Sequence, residues 1–161
     1  MKTILIASDH AGYALKEKLR SFLLKTGYSV RDFGAYSEDR CDYPGFAAAL
    51  SGAVSKGKGL RGLLICKSGI GVSIVANRFK GVRAALCYNI KAAQASRQHN
   101  DSNVLVLGSG FVSAGLAKKI LGAWLNTEFE GGRHQRRLNQ IKDIEKEIED
   151  GYFKARKRSR S

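Results

Sequence analysis

A cysteine stands where an apolar strand meets a glycine-rich turn. The run Gly62–Cys66 is unbroken by polar residues, which is typical of a strand buried on both faces in a parallel sheet. Ligands of such sheets bind beyond the carboxyl ends of the strands. The turn Lys67–Gly71 and the predicted helix after it would favour the thiolate form of Cys66. Cys66 is therefore a candidate base or nucleophile, and the alternative is a buried structural cysteine beside an ordinary strand-to-helix turn.

A carboxylate and an imidazole follow the first predicted strand. Asp9 and His10 come directly after its apolar run. In a sheet of strand order 2-1-3-4-5, strands one and three are neighbours, so Asp9, His10 and Cys66 would line one crevice. A carboxylate, an imidazole, a thiol and a bed of backbone N–H groups suit acid–base chemistry on a small anion. The alternative for Asp9 is that it only caps the following helix.

The alternation of apolar runs and amphipathic stretches predicts the elements that position these residues. It indicates an α/β fold with a doubly wound, Rossmann-like, five-stranded parallel sheet in a single domain, and an extended C-terminal helix. The predicted strands are Thr3–Ala7, Ser29–Phe33, Gly62–Cys66, Arg83–Leu86 and Asn103–Leu107. The predicted helices are Tyr13–Thr26, Gly45–Lys56, Val72–Phe79, Ile90–Arg97, Ser113–Trp124 and Arg133–Asp150. We expect residues 1–150 to form the domain and residues 151–161 to form a basic, flexible tail.

Three further basic side chains are candidates with two readings each. His99 precedes strand five, at the amino edge of the sheet, and a strand of five residues is about 17 Å long. His99 is therefore either a structural histidine at a helix end or part of a site on another subunit. Arg133 and Arg137 lie four residues apart on one helix face, which suits a phosphate but is also typical of a solvated basic face.

Composition limits the class of protein. The net charge of +14 includes five positive charges within the last ten residues, and a basic surface favours anionic ligands from sugar phosphates to nucleic acid. No apolar stretch approaches the ~20 residues that span a bilayer, so we expect no membrane association. Asp9 and His10 end the first apolar run too early for a signal peptide, so we expect a cytoplasmic location. The three cysteines form no CxxC pair, which in a reducing compartment predicts free thiols and no zinc site.

Five motifs in register resemble the type B ribose-5-phosphate isomerases, within a wider group that includes galactose-6-phosphate isomerases. The motifs are Asp9–Gly12, Asp42–Pro44, Cys66–Gly71, Ser96–Asp101 and Glu130–Gln135. The resemblance implies an intramolecular oxidoreductase of the pentose phosphate pathway that interconverts ribose 5-phosphate and ribulose 5-phosphate through a cis-enediolate. The alternative within the same class is an isomerase of galactose 6-phosphate or allose 6-phosphate.

The resemblance also implies catalytic roles for the matching residues. Cys66 would move a proton between C2 and C1 of the opened sugar, and Ser68 would assist proton movement on the oxygens. His99, supplied by a partner subunit, would protonate the ring oxygen, and Asp9 would take the O1 proton. The N–H groups that would stabilise the enediolate belong to the turn of Lys67, Gly69, Ile70 and Gly71.

The remaining implied roles concern binding and assembly. His10, Arg133 and Arg137 would hold the phosphate, Tyr43 would line the pocket, and Asn100 would contact a sugar hydroxyl. The protein would be a homodimer, or a dimer of dimers, with shared active sites. No metal or organic cofactor is expected, because an enediol step requires a base, an acid and an anion hole.

The sequence departs from the family pattern at two positions. Lys67 follows Cys66 where the family usually has glycine, and Gly110 follows Ser109 where many relatives have a phosphate-binding arginine. Relative to the family, the chain therefore gains a cation at Lys67 and lacks one at Gly110. Either Lys67 compensates for the missing arginine, or the substrate has changed.

Two other functions are weighed against the isomerase. The turn Gly69–Gly71 supplies only two fingerprint glycines of a dinucleotide site, and they follow strand three instead of strand one. A nucleic-acid binder would explain the charge, but no recognition motif accompanies it, so no specific nucleic acid is expected as a partner.

Overall fold

A computed structural model describes residues 2–57 and 59–151 of the chain. These residues form strands and helices in strict alternation up to the last two helices. The strands are β1 (Thr3–Ser8), β2 (Ser29–Asp32), β3 (Arg61–Cys66), β4 (Ala84–Leu86) and β5 (Val104–Gly108). The helices are α1 (Tyr13–Lys25), α2 (Tyr43–Lys56), α3 (Ile70–Ala76), α4 (Ile90–Asn100), α5 (Ala114–Asn126) and α6 (Arg133–Glu149).

The five strands form one parallel sheet in the order β2-β1-β3-β5-β4. The predicted doubly wound parallel sheet is confirmed, and so is the adjacency of β1 and β3. The order 2-1-3-4-5 is wrong for the last two strands. Every residue of β5 is buried, whereas the three residues of β4 are all half-buried. The longer strand, which has the larger apolar side chains, takes the inner position, and the short strand takes the edge.

Two apolar layers pack on the two faces of the sheet because successive strand residues point to opposite sides. Ile4, Ile6 and Leu63 pack with the helices α1, α4 and α5. Leu64 and Cys66 pack with α2 and α3 on the other face. The Cys66 thiol therefore lies on the α2–α3 side of the sheet.

Several helix boundaries differ from the prediction by two or three residues, at both edges of the sheet. The helix α2 begins at Tyr43, with Pro44 in its first turn, because proline needs no N–H partner there. The helix α3 begins at Ile70, directly after Gly69. A short 3₁₀ turn, His10–Gly12, was not predicted.

The chain divides into two compact units, one ending at Phe129 and one beginning at Glu130. The first contains the whole sheet and α1 to α5. The second contains α6, which has Leu138, Ile141, Ile144 and Ile148 at helical spacing. The predicted domain of residues 1–150 stays a prediction. Of the predicted tail, residues 152–161 lie outside the described part of the chain.

None of the helices within the described ranges has the length and apolar character required to cross a membrane.

Candidate active site

The carboxyl ends of β1 and β3 meet directly at one edge of the sheet. The Asp9 N–H donates to the Ile65 carbonyl oxygen at 3.2 Å. Gly12 lies against the same carbonyl, and a Cβ atom on Gly12 would be 2.7 Å from the Ile65 oxygen. A side chain at position 12 would therefore push the two strand ends apart. The fold brings Asp9 and Cys66 to neighbouring positions on this edge.

Asp9 is buried and caps the short turn that follows it. Its Oδ1 atom accepts a hydrogen bond from the Gly12 N–H at 2.8 Å. The capping role that the sequence suggested as an alternative is thus present. The Oδ2 atom has no hydrogen-bond partner among the described residues, so one carboxylate oxygen is fixed and the other is available for a proton.

The turn after β3 is organised around the Cys66 sulfur. The Gly69 N–H donates to Cys66 Sγ at 3.1 Å, and only 4% of Cys66 is exposed. Gly69 has a φ angle of 82°, in the left-handed region that favours glycine. The Ser68 hydroxyl oxygen accepts from the Ile70 N–H at 3.2 Å.

Two other segments, the end of β5 and the residues after β4, form hydrogen bonds with this turn. The Ser109 N–H donates to the Cys66 carbonyl oxygen at 2.9 Å. The Tyr88 hydroxyl donates to the Ser68 carbonyl oxygen, also at 2.9 Å. Gly108 approaches the Ser68 carbonyl so closely that any side chain there would clash with it. Tyr88 and Gly108 were not found by sequence reasoning, because only the fold shows which strand ends adjoin the turn.

Tyr43 lies over the start of α3, and its predicted pocket-lining role stays a prediction. A Cβ atom on Gly71 would be 2.5 to 2.8 Å from three atoms of the Tyr43 side chain, so this side chain lies directly against the glycine. The Tyr43 side chain is 37% exposed, which leaves one side of the ring open to a ligand.

His10 is half-buried, and one of its two ring nitrogens is held by the loop before α2. The Nδ1 atom lies 3.1 Å from the Cys41 carbonyl oxygen and 3.2 Å from the Cys41 amide nitrogen. The Nε2 atom has no hydrogen-bond partner within the described ranges. This arrangement fixes the ring and leaves one nitrogen for a ligand.

A buried lysine anchors the loop after β2 to the end of β1. Lys16 is fully buried, and its Nζ atom donates to both Asp32 carboxylate oxygens, at 2.8 and 2.6 Å, and to the Ala35 carbonyl oxygen at 2.7 Å. The Ala35 N–H in turn donates to the Ser8 carbonyl oxygen at 2.7 Å. Sequence reasoning missed Lys16. The available signal was its helical spacing with the apolar residues Leu19 and Leu23.

The structure does not bring every predicted site residue to this edge. His99 and Asn100 are exposed at the C-terminal end of α4, next to the amino ends of β4 and β5, where the Asn103 N–H donates to the Arg83 carbonyl oxygen. Arg133 lies at the start of the second unit, as does Arg137 one helical turn later. The roles of these residues stay predictions.

The two other cysteines have different surroundings from Cys66. Burial raises the pKa of the Cys87 thiol to about 11, and Cys87 packs in the layer on the opposite face of the sheet. Cys41 is half-buried, and its sulfur lies 3.9 Å from His10 Nδ1. All three are free thiols, but only the Cys66 sulfur lies within the turn of backbone N–H groups.

Comparison with known proteins agrees with this geometry. Residues 4–141 match the family described as Ribose/Galactose Isomerase. Ribose-5-phosphate isomerase B of Escherichia coli is 47% identical over 145 residues, which cover 90% of this chain and 97% of that protein.

Solved structures are equally similar. Ribose-5-phosphate isomerase B of Clostridium thermocellum superposes with a TM-score of 0.88 at 46% identity, covering 91% of this chain and 99% of that one. Ribose-5-phosphate isomerase B of Mycoplasma genitalium, solved with bound ribulose-5-phosphate, has a TM-score of 0.87 at 44% identity, covering 90% of this chain and 97% of that one.

The surroundings of the thiols predict their order of reaction with an alkylating reagent. At neutral pH the half-buried Cys41 should be modified well before Cys87, because Cys87 is 1% exposed and its raised pKa keeps it protonated. The Cys87 rate should rise only as the pH approaches about 11. Mass spectrometry of alkylated peptides measures both rates. Labelling of Cys87 in the native protein as fast as that of Cys41 would contradict the assignment.

Proposed function

The chain belongs to the ribose/galactose isomerase family, and we propose that it is an aldose–ketose isomerase that interconverts ribose 5-phosphate and ribulose 5-phosphate. The observation that carries this proposal is the position of the Cys66 sulfur at the sheet edge, within a turn of backbone N–H groups and beside Asp9. Relatives of this family at 44 to 47% identity are ribose-5-phosphate isomerases, one of them solved with bound ribulose-5-phosphate.

The reaction moves one proton between two carbons and one between two oxygens, so it consumes no oxidant or reductant. A base removes the proton from C2 of the opened aldose, and the electron pair forms the C1–C2 double bond of a cis-enediolate. The same base returns a proton to C1, while the proton on O2 leaves and O1 gains one. The balance explains why the chemistry needs a base, an acid and an anion hole but no metal or organic cofactor.

Cys66 is the base in this proposal. Its sulfur accepts the Gly69 N–H and is buried at the carboxyl edge of the sheet. In the preceding ring-opening step, the Asp9 oxygen without a hydrogen-bond partner among the described residues takes the proton of the anomeric O1 hydroxyl while the ring oxygen is protonated. Ser68 assists proton movement on the oxygens during isomerisation.

The anion hole is formed by the turn itself. The Gly69 and Ile70 N–H groups donate to Cys66 and Ser68 respectively in this structure. They must exchange these partners for the enediolate oxygens as the substrate enters, whereas the N–H groups of Lys67 and Gly71 complete the hole. Once the substrate is bound, these backbone donors are already in place, so little further reorganisation is needed when charge develops.

We further propose that active sites are shared between subunits of a homodimer, or of a dimer of dimers. His99 and Cys66 lie at opposite edges of one sheet, so one chain does not bring them together. The partner's copy would supply the ring-opening acid, and Asn100 beside it would contact a sugar hydroxyl. His10, Arg133 and Arg137 would hold the phosphate.

An exposed apolar surface beside the turn supports an assembly. Ile70 and Ile74 lie one helical turn apart on α3 and are 52% and 53% exposed. Phe111 is 65% exposed, and its ring centroid lies 5.5 Å from that of Tyr88. Exposed apolar side chains that lie next to each other, as in each of these two pairs, mark interaction sites. The partner that a shared active site requires is a second copy of the chain.

The proposed setting of the enzyme is the cytoplasm, where three free thiols remain reduced. The substrate is a small sugar phosphate, and the positive charge of the chain fits that anion without a nucleic acid or a membrane as partner.

Replacing the proposed base should abolish turnover and preserve the fold. Cys66→Ala should lower kcat for ribose 5-phosphate by roughly 10²–10⁴-fold, with a circular dichroism spectrum like that of the wild type. The matched controls Cys41→Ala and Cys87→Ala should each retain far more activity. A Cys66→Ala enzyme that keeps more than about a tenth of wild-type kcat, short of that range, would exclude Cys66 as the base.

Shared sites predict complementation between two inactive variants. Cys66→Ala chains mixed and exchanged with His99→Ala chains should recover activity, because each hybrid dimer would contain one site with both residues intact. Mixing either variant with itself is the control. Exchanged mixtures that stay inactive, although subunit exchange is verified by mass spectrometry, would rule out a site built from two chains.

A further inference from the structure

A cavity lies at the carboxyl edge, between residues of α1 and residues at the start of α5. Its volume is about 340 Å³, and its lining includes Ala11, Lys18, Lys67, Ser109 and Ser113. Apart from Lys67, none of these is a residue that sequence reasoning assigned to the active site. We call this cavity the Lys18–Lys67 pocket.

The pocket carries two positive charges and no negative one. Both ammonium groups belong to exposed side chains, and neither has a hydrogen bond or ion pair among the described residues. No acidic side chain lines the pocket. Two like charges that face the same space repel each other, and an anion between them replaces that repulsion with two attractions.

The polar groups around the lysines add donors for an anion. Ser113 is the N-cap of α5, a helix of 13 residues, and its Oγ atom accepts from the Leu116 N–H at 3.2 Å. The hydroxyl hydrogen of Ser113 is therefore free to donate, at the positive end of the helix dipole. The Ser109 hydroxyl donates to the Ala11 carbonyl oxygen at 2.8 Å, which joins the two loops that form the wall of the pocket.

Gly110 lies against the side chain and the carbonyl group of Lys67. A Cβ atom on Gly110 would be 3.1 Å from Lys67 Cε and 3.3 Å from Lys67 Cδ. The Gly110 N–H donates to the Lys67 carbonyl oxygen at 2.9 Å. The φ angle of Gly110 is not in the left-handed region, so its lack of a side chain serves to make room for the lysine stem.

We propose that the Lys18–Lys67 pocket binds a phosphate group. Two ammonium groups and a serine hydroxyl match the several acceptor oxygens and the charge of a phosphate, which lysine binds as a point charge. The phosphate can be a separate phosphate anion, or it can be that of the sugar-phosphate substrate, in which case the two lysines add to the phosphate ligands proposed above. Only the second source rests on the proposed function, since anion binding itself requires no turnover.

Titration calorimetry with inorganic phosphate tests the pocket on the full chain. Lys18→Ala and Lys67→Ala should each weaken phosphate binding roughly tenfold, as expected for loss of one charge-assisted hydrogen bond. Lys25→Ala, which removes an equally exposed lysine from the far end of α1, should leave the binding unchanged. Gly110→Ala should weaken it severalfold while all lysines are kept, because the added methyl group displaces the Lys67 stem.

The outcomes separate the pocket from the proposed function. Wild-type binding that is absent, or that is equally strong in Lys18→Ala/Lys67→Ala, overturns the pocket whatever the enzyme does. Lysine-dependent phosphate binding by a chain that does not turn over ribose 5-phosphate upholds the pocket and overturns the function.

Inhibition kinetics identify the source of the phosphate. If the substrate supplies it, inorganic phosphate competes with ribose 5-phosphate, and the double variant Lys18→Ala/Lys67→Ala raises KM more than it lowers kcat. If the anion is separate, phosphate still binds in a lysine-dependent way but does not compete, and KM stays at the wild-type value. Both results support the pocket.

Discussion

The parallel pairing of β1 with β3 is the constraint on which the rest of the candidate site depends. It places the N–H of Asp9 on the carbonyl of Ile65, one residue before Cys66. It tolerates no side chain at Gly12, and the neighbouring pairing of β3 with β5 tolerates none at Gly108. Acid–base chemistry requires groups within hydrogen-bond distance of the same substrate atoms. Backbone contacts across adjacent strands meet that requirement without relying on flexible side chains.

The buried ammonium group of Lys16 helps to hold the carboxyl edge of the sheet, and its burial carries a free-energy penalty. Removal of an ion from water carries a penalty of several kcal/mol even after relaxation. Three short hydrogen bonds, two to Asp32 and one to Ala35, offset that cost. The result is a fixed connection from α1 through the loop after β2 to the end of β1. A partly exposed ion pair such as Glu17 and Arg20 would contribute at most about 1 kcal/mol to stability. It lies within one helix and does not connect different elements of the fold.

Much of the fold follows from patterns within the sequence, whereas the missed features depend on comparisons between distant segments. The alternation of apolar runs and amphipathic helices is a local pattern, so it predicted the parallel sheet, the adjacency of β1 and β3, and Cys66 at a strand end. The exchange of β4 and β5 depends on which of two strands is longer and more apolar, which single segments do not show. The same holds for Lys16, whose buried partner Asp32 lies on another element, and for Tyr88, which reaches Ser68 only after folding.

The substrate preference of the full-length enzyme tests the central claim most directly. Steady-state kcat/KM values for ribose 5-phosphate, allose 6-phosphate and galactose 6-phosphate should be measured side by side on the same preparation. The account predicts that ribose 5-phosphate gives the highest value, by at least about tenfold, the discrimination that one additional carbon unit typically permits. A higher kcat/KM for either hexose phosphate, or no turnover of ribose 5-phosphate, would contradict it.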